Sequence, residues 1–296
     1  RTAIGAARLR AFDRLAELLP AARGLPPVEG LRLLLAGLSD AEGGTHAVLA
    51  VAAMPVFVAA LARQARAVPP VAPAPALGQA ADFLRMLDGR PAAPARVAAL
   101  DSYLSTVADH GLNASTFTAR VVASTQAGVL SAVVAALCAL KGPLHGGAPG
   151  PVLDMLDAIG EPEAVEPWLA ARLSAGERLM GFGHRVYRVR DPRADVLKRA
   201  LAGLSEAGRV RFAERVEAAA VAALARHRPG RSLQTNVEFY TALLLEAVGL
   251  PRELFTPVFA IGRVAGWAAH VVEQERCGRI LRPRSRYVGP LAEAAE

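Results

Sequence analysis

Lysine is almost missing from this chain: of 34 basic residues in 296, only Lys141 and Lys198 are lysines. Aromatics are scarce at 5%, and cysteine occurs twice, as Cys138 and Cys277. Each shortage closes off a class of protein. Two cysteines far apart in sequence give neither a disulfide framework nor a zinc spacing, which fits a reduced cytoplasmic chain. A net charge of +7 would suit nucleic acid. The arginines, however, are spread through alanine-rich helices without a basic block, and no zinc-finger or RNA-binding aromatic motif accompanies them, so no nucleic-acid partner is expected. The most apolar run, 47–62, falls short of a membrane span and carries Pro55 in its middle. It reads as a core helix, and no membrane association is expected. The opening RTAIGAARLRAFDRL lacks a secretory signal pattern and alternates arginine with apolar residues as an amphipathic helix does. Since it does not begin with Met, further sequence is expected ahead of residue 1.

What is present is helical. Over half of the residues are apolar, enough for one large core or two unequal lobes. Alanine, leucine, arginine and glutamate dominate, and β-branched stretches bounded by turns are almost absent, so the class is all-α. The spacing predicts helices near 6–19, 26–38, 44–64, 77–88, 94–108, 114–124, 127–140, 149–159, 163–175, 191–204, 208–226, 234–248 and 255–274. Proline-rich VPPVAPAPAL at 68–77 cannot continue a helix and reads as an extended connector. Sharper breaks fall at GGAPGP (146–151) and VGLP (248–251). They divide the chain into a larger lobe, 1–146 with 250–296, and a smaller one, 147–249, hinged at glycine and proline. A single bundle with ordinary turns fits the same breaks.

Chemistry-bearing residues gather after residue 108. DHGLNASTF carries His110 and Asn113, GPLHGG carries His145, and GFGHRVYRVRDPR carries His184 and Arg193. TNVEFY holds Glu238, FAIGR ends in Arg263, and RPRSRYVGP contains Arg282 and Arg284. Glycine flanks let the backbone turn sharply and a ligand come close, which presents His145 and His184 to a substrate. His46, His227 and His270 lack that framing and read as structural. Arginine's planar fork suits carboxylates and phosphates, so the set combines acid/base groups with anion receptors. No HExxH and no short Cys/His spacing occurs, and the arginines would repel a cation, so no metal is expected. No GxSxG elbow marks a serine hydrolase.

In this combination and order, GPLHGGA, GFGHRVY with DPRA, TNVEFY and FTPVFAIGRVAGW with RPRSRYVGP resemble the citrate synthase family, 2-methylcitrate synthases included. The resemblance covers nearly the whole chain and is closest over 109–290. It implies an all-α homodimer whose large and small domains close over oxaloacetate and then acetyl-CoA, with no permanently bound cofactor and a coenzyme A thioester as co-substrate. By the same resemblance His110, Asn113, Arg193 and Arg263 bind oxaloacetate. Arg282, or Arg284 beside it, reaches into the other subunit's site. Glu238 takes a proton from the thioester methyl, His145 hydrogen-bonds the enolate oxygen, and His184 polarises the keto carbonyl. Backbone groups of Gly181, Phe182 and Gly183 meet the adenine of coenzyme A, and Arg185, Arg188 and Lys198 are candidates for its phosphates.

The chain departs from the family at the base, usually Asp, where it has Glu238. One methylene moves the carboxylate by on the order of 1 Å, a shift able to cost about a hundredfold in rate unless the backbone compensates. Thr235, Asn236, Phe239 and Tyr240 still match around it. The family also carries several helices ahead of the point where this sequence opens. Three activities stay open: citrate formation from acetyl-CoA, 2-methylcitrate formation from propionyl-CoA, and an impaired homologue that binds ligand without turnover.

Overall fold

The structure, a computed structural model, describes residues 2–41, 45–147, 149–183, 189–204 and 207–289. Among these residues there is no strand, only one isolated bridge between Phe182 and Thr235. The helices are α1 (Thr2–Asp13), α2 (Leu15–Leu18), α3 (Pro27–Ala36), α4 (His46–Ala65), α5 (Gln79–Asp88), α6 (Pro94–Thr106) and α7 (Ala114–Ala123). They continue as α8 (Val129–Leu140), α9 (Pro149–Ile159), α10 (Val165–Ser174), α11 (Pro192–Leu201), α12 (Ala207–His227), α13 (Val237–Ala247) and α14 (Phe255–Cys277). The all-α reading and most of the expected helices stand. The first does not stand as drawn: instead of one helix over 6–19, α1 stops at Asp13 and α2 restarts at Leu15. Pro20 then lacks the N–H for a further α-turn, and Leu19–Ala22 tightens into a 3₁₀ turn.

Helix α4 runs through Pro55 without ending. Proline withholds the N–H that would bond the Val51 carbonyl, and a buried unpaired carbonyl costs about 1–3 kcal/mol. Gln79, at the start of α5, donates its Nε2 to that oxygen at 2.9 Å. At 20 residues α4 matches the helix expected near 44–64 and extends past the apolar run 47–62, so that both it and the stretch Arg252–Cys277 have the length and apolarity of a membrane span. In each, 72% of the apolar window is buried inside the fold, which explains why both are apolar. The proline-rich connector is bolted down by an ion pair that is itself buried. Arg8 meets Asp82 at 3.1 Å and donates to the Leu77 carbonyl at 2.7 Å, while Asp82 accepts from the Ala74 N–H.

Helix α14 is the common neighbour of α3, α4, α6, α7 and α8. Two glycines one turn apart give it a bare stripe. A Cβ on Gly262 would lie 3.1 Å from the Leu104 carbonyl, and one on Gly266 would lie 2.2 Å from the Ala108 carbonyl. The end of α6 and the turn after it therefore lie directly on the α14 backbone, with the Gly266 N–H donating to Ala108 at 3.1 Å. That seat fixes the turn holding His110.

Candidate active site

Three helices begin at one cleft of about 700 Å³. Asn113 caps α7 by accepting from the Thr116 N–H, Asp191 caps α11 by accepting from the Arg193 N–H, and Asn236 caps α13 by accepting from the Glu238 N–H. Residues of all three first turns line the cleft. Helix N-termini carry partial positive charge, so their convergence favours an anion before any side chain is counted.

Two arginines add full charges. Arg193 is gripped by the fully buried Asp191, with Nε at 3.1 Å and Nη2 at 2.7 Å from its two oxygens, so the guanidinium has little rotational freedom. Arg263, 2% exposed, donates from Nε to the Val107 carbonyl at 2.6 Å and lies 4.9 Å over the Phe259 ring. Among the described residues no carboxylate lies within ion-pairing distance of it. Burial, and then the positive Arg193, lower the Arg263 pKa to about 10, so it stays charged at neutral pH. Two guanidiniums that repel each other across a cleft are stabilised by a ligand bearing carboxylates.

Glu238 is half-buried, with its accessible part on the cleft. Burial pushes its carboxyl up to about 7, against the pull of Arg193 and Arg263, and Asp191 adds to the rise. A base poised near working pH is what abstraction of a weakly acidic proton requires. His145 has the opposite shift: burial, and then Arg263, lower it to about 4, so its ring is neutral at pH 7. Its Nε2 lies 2.9 Å from Ser115 Oγ, which also accepts from Trp267 Nε1 at 3.1 Å and lies 2.8 Å from Asn113 Oδ1.

Most of the expected site residues converge here: His110, Asn113, His145, Arg193, Glu238, Arg263 and Gly183 all line the cleft. Asn113 spends its amide on the turn, however, accepting at Oδ1 and donating from Nδ2 to the Gly111 carbonyl at 3.3 Å. Of the GFG trio only Gly183 reaches the cleft. Phe182 is 7% exposed and packs on Phe239 at 5.5 Å, and a Cβ on Gly181 would press on the same ring. Both Gly181 and Gly183 have φ above +80°, which a larger residue would resist. The loop is tied to the segment ahead of α13: Asn236 N–H donates to Gly181 and Gly183 N–H to Gln234. His184, Arg185 and Arg188 lie outside the described residues. Lys198 pairs with Glu214 at 2.9 Å. Arg282 and Arg284 are exposed and outside this cleft, on an extended arm anchored where Leu281 N–H donates to Ser124.

Sequence reasoning passed over Ser115, Trp267 and Asp191. Ser115 sits two residues after a capping Asn, a signal available in the sequence. Trp267 becomes a partner only through the fold.

An all-α fold with a neutral histidine, a carboxylate near its working pKa and paired arginines in one cleft defines a helical acid/base site for an anionic substrate. The sequence profile described as citrate synthase, C-terminal domain, matches residues 6–284, and the chain belongs to the citrate synthase family. The putative citrate synthase 2 of Mycobacterium tuberculosis H37Rv is 47% identical over 210 residues, 71% of this chain and 56% of that protein. The 2-methylcitrate synthase of the same organism is 41% identical over 238 residues, 80% of this chain and 60% of that one. The chain thus spans somewhat more than half the length of these relatives. The citrate synthase of Thermoplasma acidophilum, solved in a ternary complex with carboxymethyl coenzyme A and oxaloacetate, superposes with a TM-score of 0.88 at 30% identity, covering 99% of this chain and 81% of that one.

Proposed function

We propose that this chain forms the catalytic part of a cytoplasmic enzyme that condenses acetyl-CoA with oxaloacetate and hydrolyses the thioester, giving citrate and coenzyme A. The observation that carries the reading is the opposed pair Glu238 and His145, one carboxyl raised to about 7 and one imidazole lowered to about 4 in the same cleft. Glu238 takes the proton from the thioester methyl. Neutral His145 donates a hydrogen bond to the enolate oxygen, a donation worth most where water is excluded. The enolate carbon attacks the keto carbon of oxaloacetate. In the family resemblance His184 supplies the proton to the new alkoxide, and water then cleaves the thioester. Arg193, Arg263 and His110 hold oxaloacetate, with Arg282 supplied by the second subunit of a homodimer.

Ser115 holds the His145 ring in place: its Oγ lies 2.9 Å from His145 Nε2, accepts from Trp267 Nε1 and donates to Asn113 Oδ1, which also accepts from Thr116. Closure of the 147–249 lobe on the remainder would bring the α11 and α13 groups onto the substrate. A recess of about 420 Å³ shares Gly183 with the cleft and carries Arg178, Arg228 and Arg231, cations placed to meet coenzyme A phosphates.

Formation of 2-methylcitrate from propionyl-CoA is the second reading, favoured by the 41% identity to a 2-methylcitrate synthase. One methylene in a pocket is worth about 1–3 kcal/mol, so the two activities differ in degree. Thiol release with oxaloacetate and either acetyl-CoA or propionyl-CoA, measured side by side, decides between them by kcat/KM. No release with either, from protein that still binds oxaloacetate, would show a binding protein and reject both.

A further inference from the structure

We propose that His270 is a positioning residue: locked as one tautomer by Arg120, it holds the Asp109 carboxylate and thereby the turn that brings His110 into the cleft. The inference rests on the reading of His110 as an oxaloacetate ligand. Arg120 of α7 places Nη1 3.1 Å from His270 Nδ1 and also pairs with Glu273. A guanidinium has no lone pair to offer, so Nδ1 must accept and the ring proton must sit on Nε2. That Nε2 lies 3.1 Å from Asp109 Oδ1, an acceptor. Each link therefore has one direction, from arginine to imidazole to carboxylate.

Asp109 passes the constraint to the backbone. It accepts from the Gly111 N–H at 3.1 Å and from the His110 N–H, so its carboxylate closes the turn in which His110 stands. Burial works to raise its pKa, yet the Gly111 N–H, His270 and the His110 N–H outweigh that and hold it below the ordinary value. His270 lies one helical turn beyond Gly266, whose missing side chain admits the same turn against α14. Gly266 sets the depth of the turn and His270 sets its lateral position. The chain of contacts also runs the other way. Arg120 Nε donates to Gln274 Oε1 at 3.1 Å, and Gln274 Nε2 donates to the Arg279 carbonyl at 3.0 Å, so one arginine steadies both the His110 turn and the root of the arm carrying Arg282.

Charged groups around His270 come from three elements: Arg120 from α7, Asp109 from the turn after α6, and Glu273 from α14 itself, at 3.9 Å. None of these side chains reaches the cleft lining. A defect here should therefore act on the keto acid alone.

The test is a double-mutant cycle of His270→Ala and Asp109→Ala, with His270→Gln as the conservative variant. Each alanine variant should raise the oxaloacetate KM about tenfold while the acyl-CoA KM moves less than about twofold, and the double variant should be no worse than either single one. His270→Gln, which keeps a donor, should recover most of the loss. Additive effects, or equal rises in both KM values, would overturn the proposal, because both describe independent structural damage. Ring-nitrogen NMR reads the relay without turnover. His270 should carry its proton on Nε2 at pH 7.5, and the His110 ring signals should move alike in both alanine variants. A proton on Nδ1, or unmoved His110 signals, would also overturn it. Wild-type protein that releases no thiol yet shows these signals would reject the proposed function and leave the relay standing.

Discussion

Glu238 combines a long side chain with a site that raises its pKa, and the consequences are both kinetic and thermodynamic. Glu238→Gln should abolish thiol release while leaving oxaloacetate affinity within about threefold, because the base acts on the acyl-CoA and the keto acid is held by arginines. Calorimetry with oxaloacetate beside a turnover assay checks this. The same variant has a stability signature. With a folded pKa of about 7 against an ordinary 4.5, native protein keeps a proton between those pH values that the unfolded chain has released. This stabilisation is complete below about pH 4.5 and is lost as pH rises through 7. Glu238→Gln should therefore raise Tm at pH 8 by on the order of 5 °C and leave it unchanged near pH 4.5. His145 acts in the opposite sense. Its depressed pKa contributes stability above 6.5 that is lost as pH falls toward 4, so the two slopes oppose each other between about 4.5 and 6.5. Ser115→Ala removes the hydroxyl that positions the His145 ring. We expect kcat to fall about 10- to 100-fold with the oxaloacetate KM nearly unchanged; a shift in KM alone would show Ser115 acting on substrate instead.

Helix ends and helix crossings carry the geometry of the site. Gly266→Ala puts a methyl 2.2 Å from a carbonyl oxygen, a clash the turn can relieve only by lifting off α14. Displacing His110 by about 1 Å should raise the oxaloacetate KM by more than about tenfold, measured as initial rates at saturating acyl-CoA. The helices were readable from sequence because each has an apolar stripe of the right period, and α7, α11 and α13 follow a capping Asn or Asp. The continuity of α4 through Pro55 was read correctly as one helix at 44–64, but the donor that repairs it, Gln79, belongs to another helix and was not legible. For the same reason His145, Glu238 and Arg263 stood out from their local motifs while Ser115 and His270 did not. Their parts depend on partners as much as 161 residues away in sequence, as in the His270 to Asp109 contact.

At the scale of the whole molecule the proposed homodimer gives Arg282 and Arg284 a site to reach, since both sit on an exposed arm outside their own cleft. Ile280, Tyr287 and Val288 on that arm are 65%, 71% and 90% exposed, apolar surface suited to cover by another subunit. If Arg282 acts across the interface, mixing and refolding inactive Glu238→Gln and Arg282→Ala chains should restore about a quarter of wild-type activity, since half of the random dimers contain one intact site. No restoration would place Arg282 in its own subunit's site. On the proposed function, the shortage of lysine has a further consequence. Thioesters acylate free amines without any catalyst, whereas guanidinium groups are inert to them. Here the lysines number two, and each is already engaged by a carboxylate: Lys141 by Glu29 at 2.5 Å and Lys198 by Glu214 at 2.9 Å. The fold would therefore offer an acyl thioester almost no lysine amine to attack, and its charge pattern should survive long exposure to acetyl-CoA.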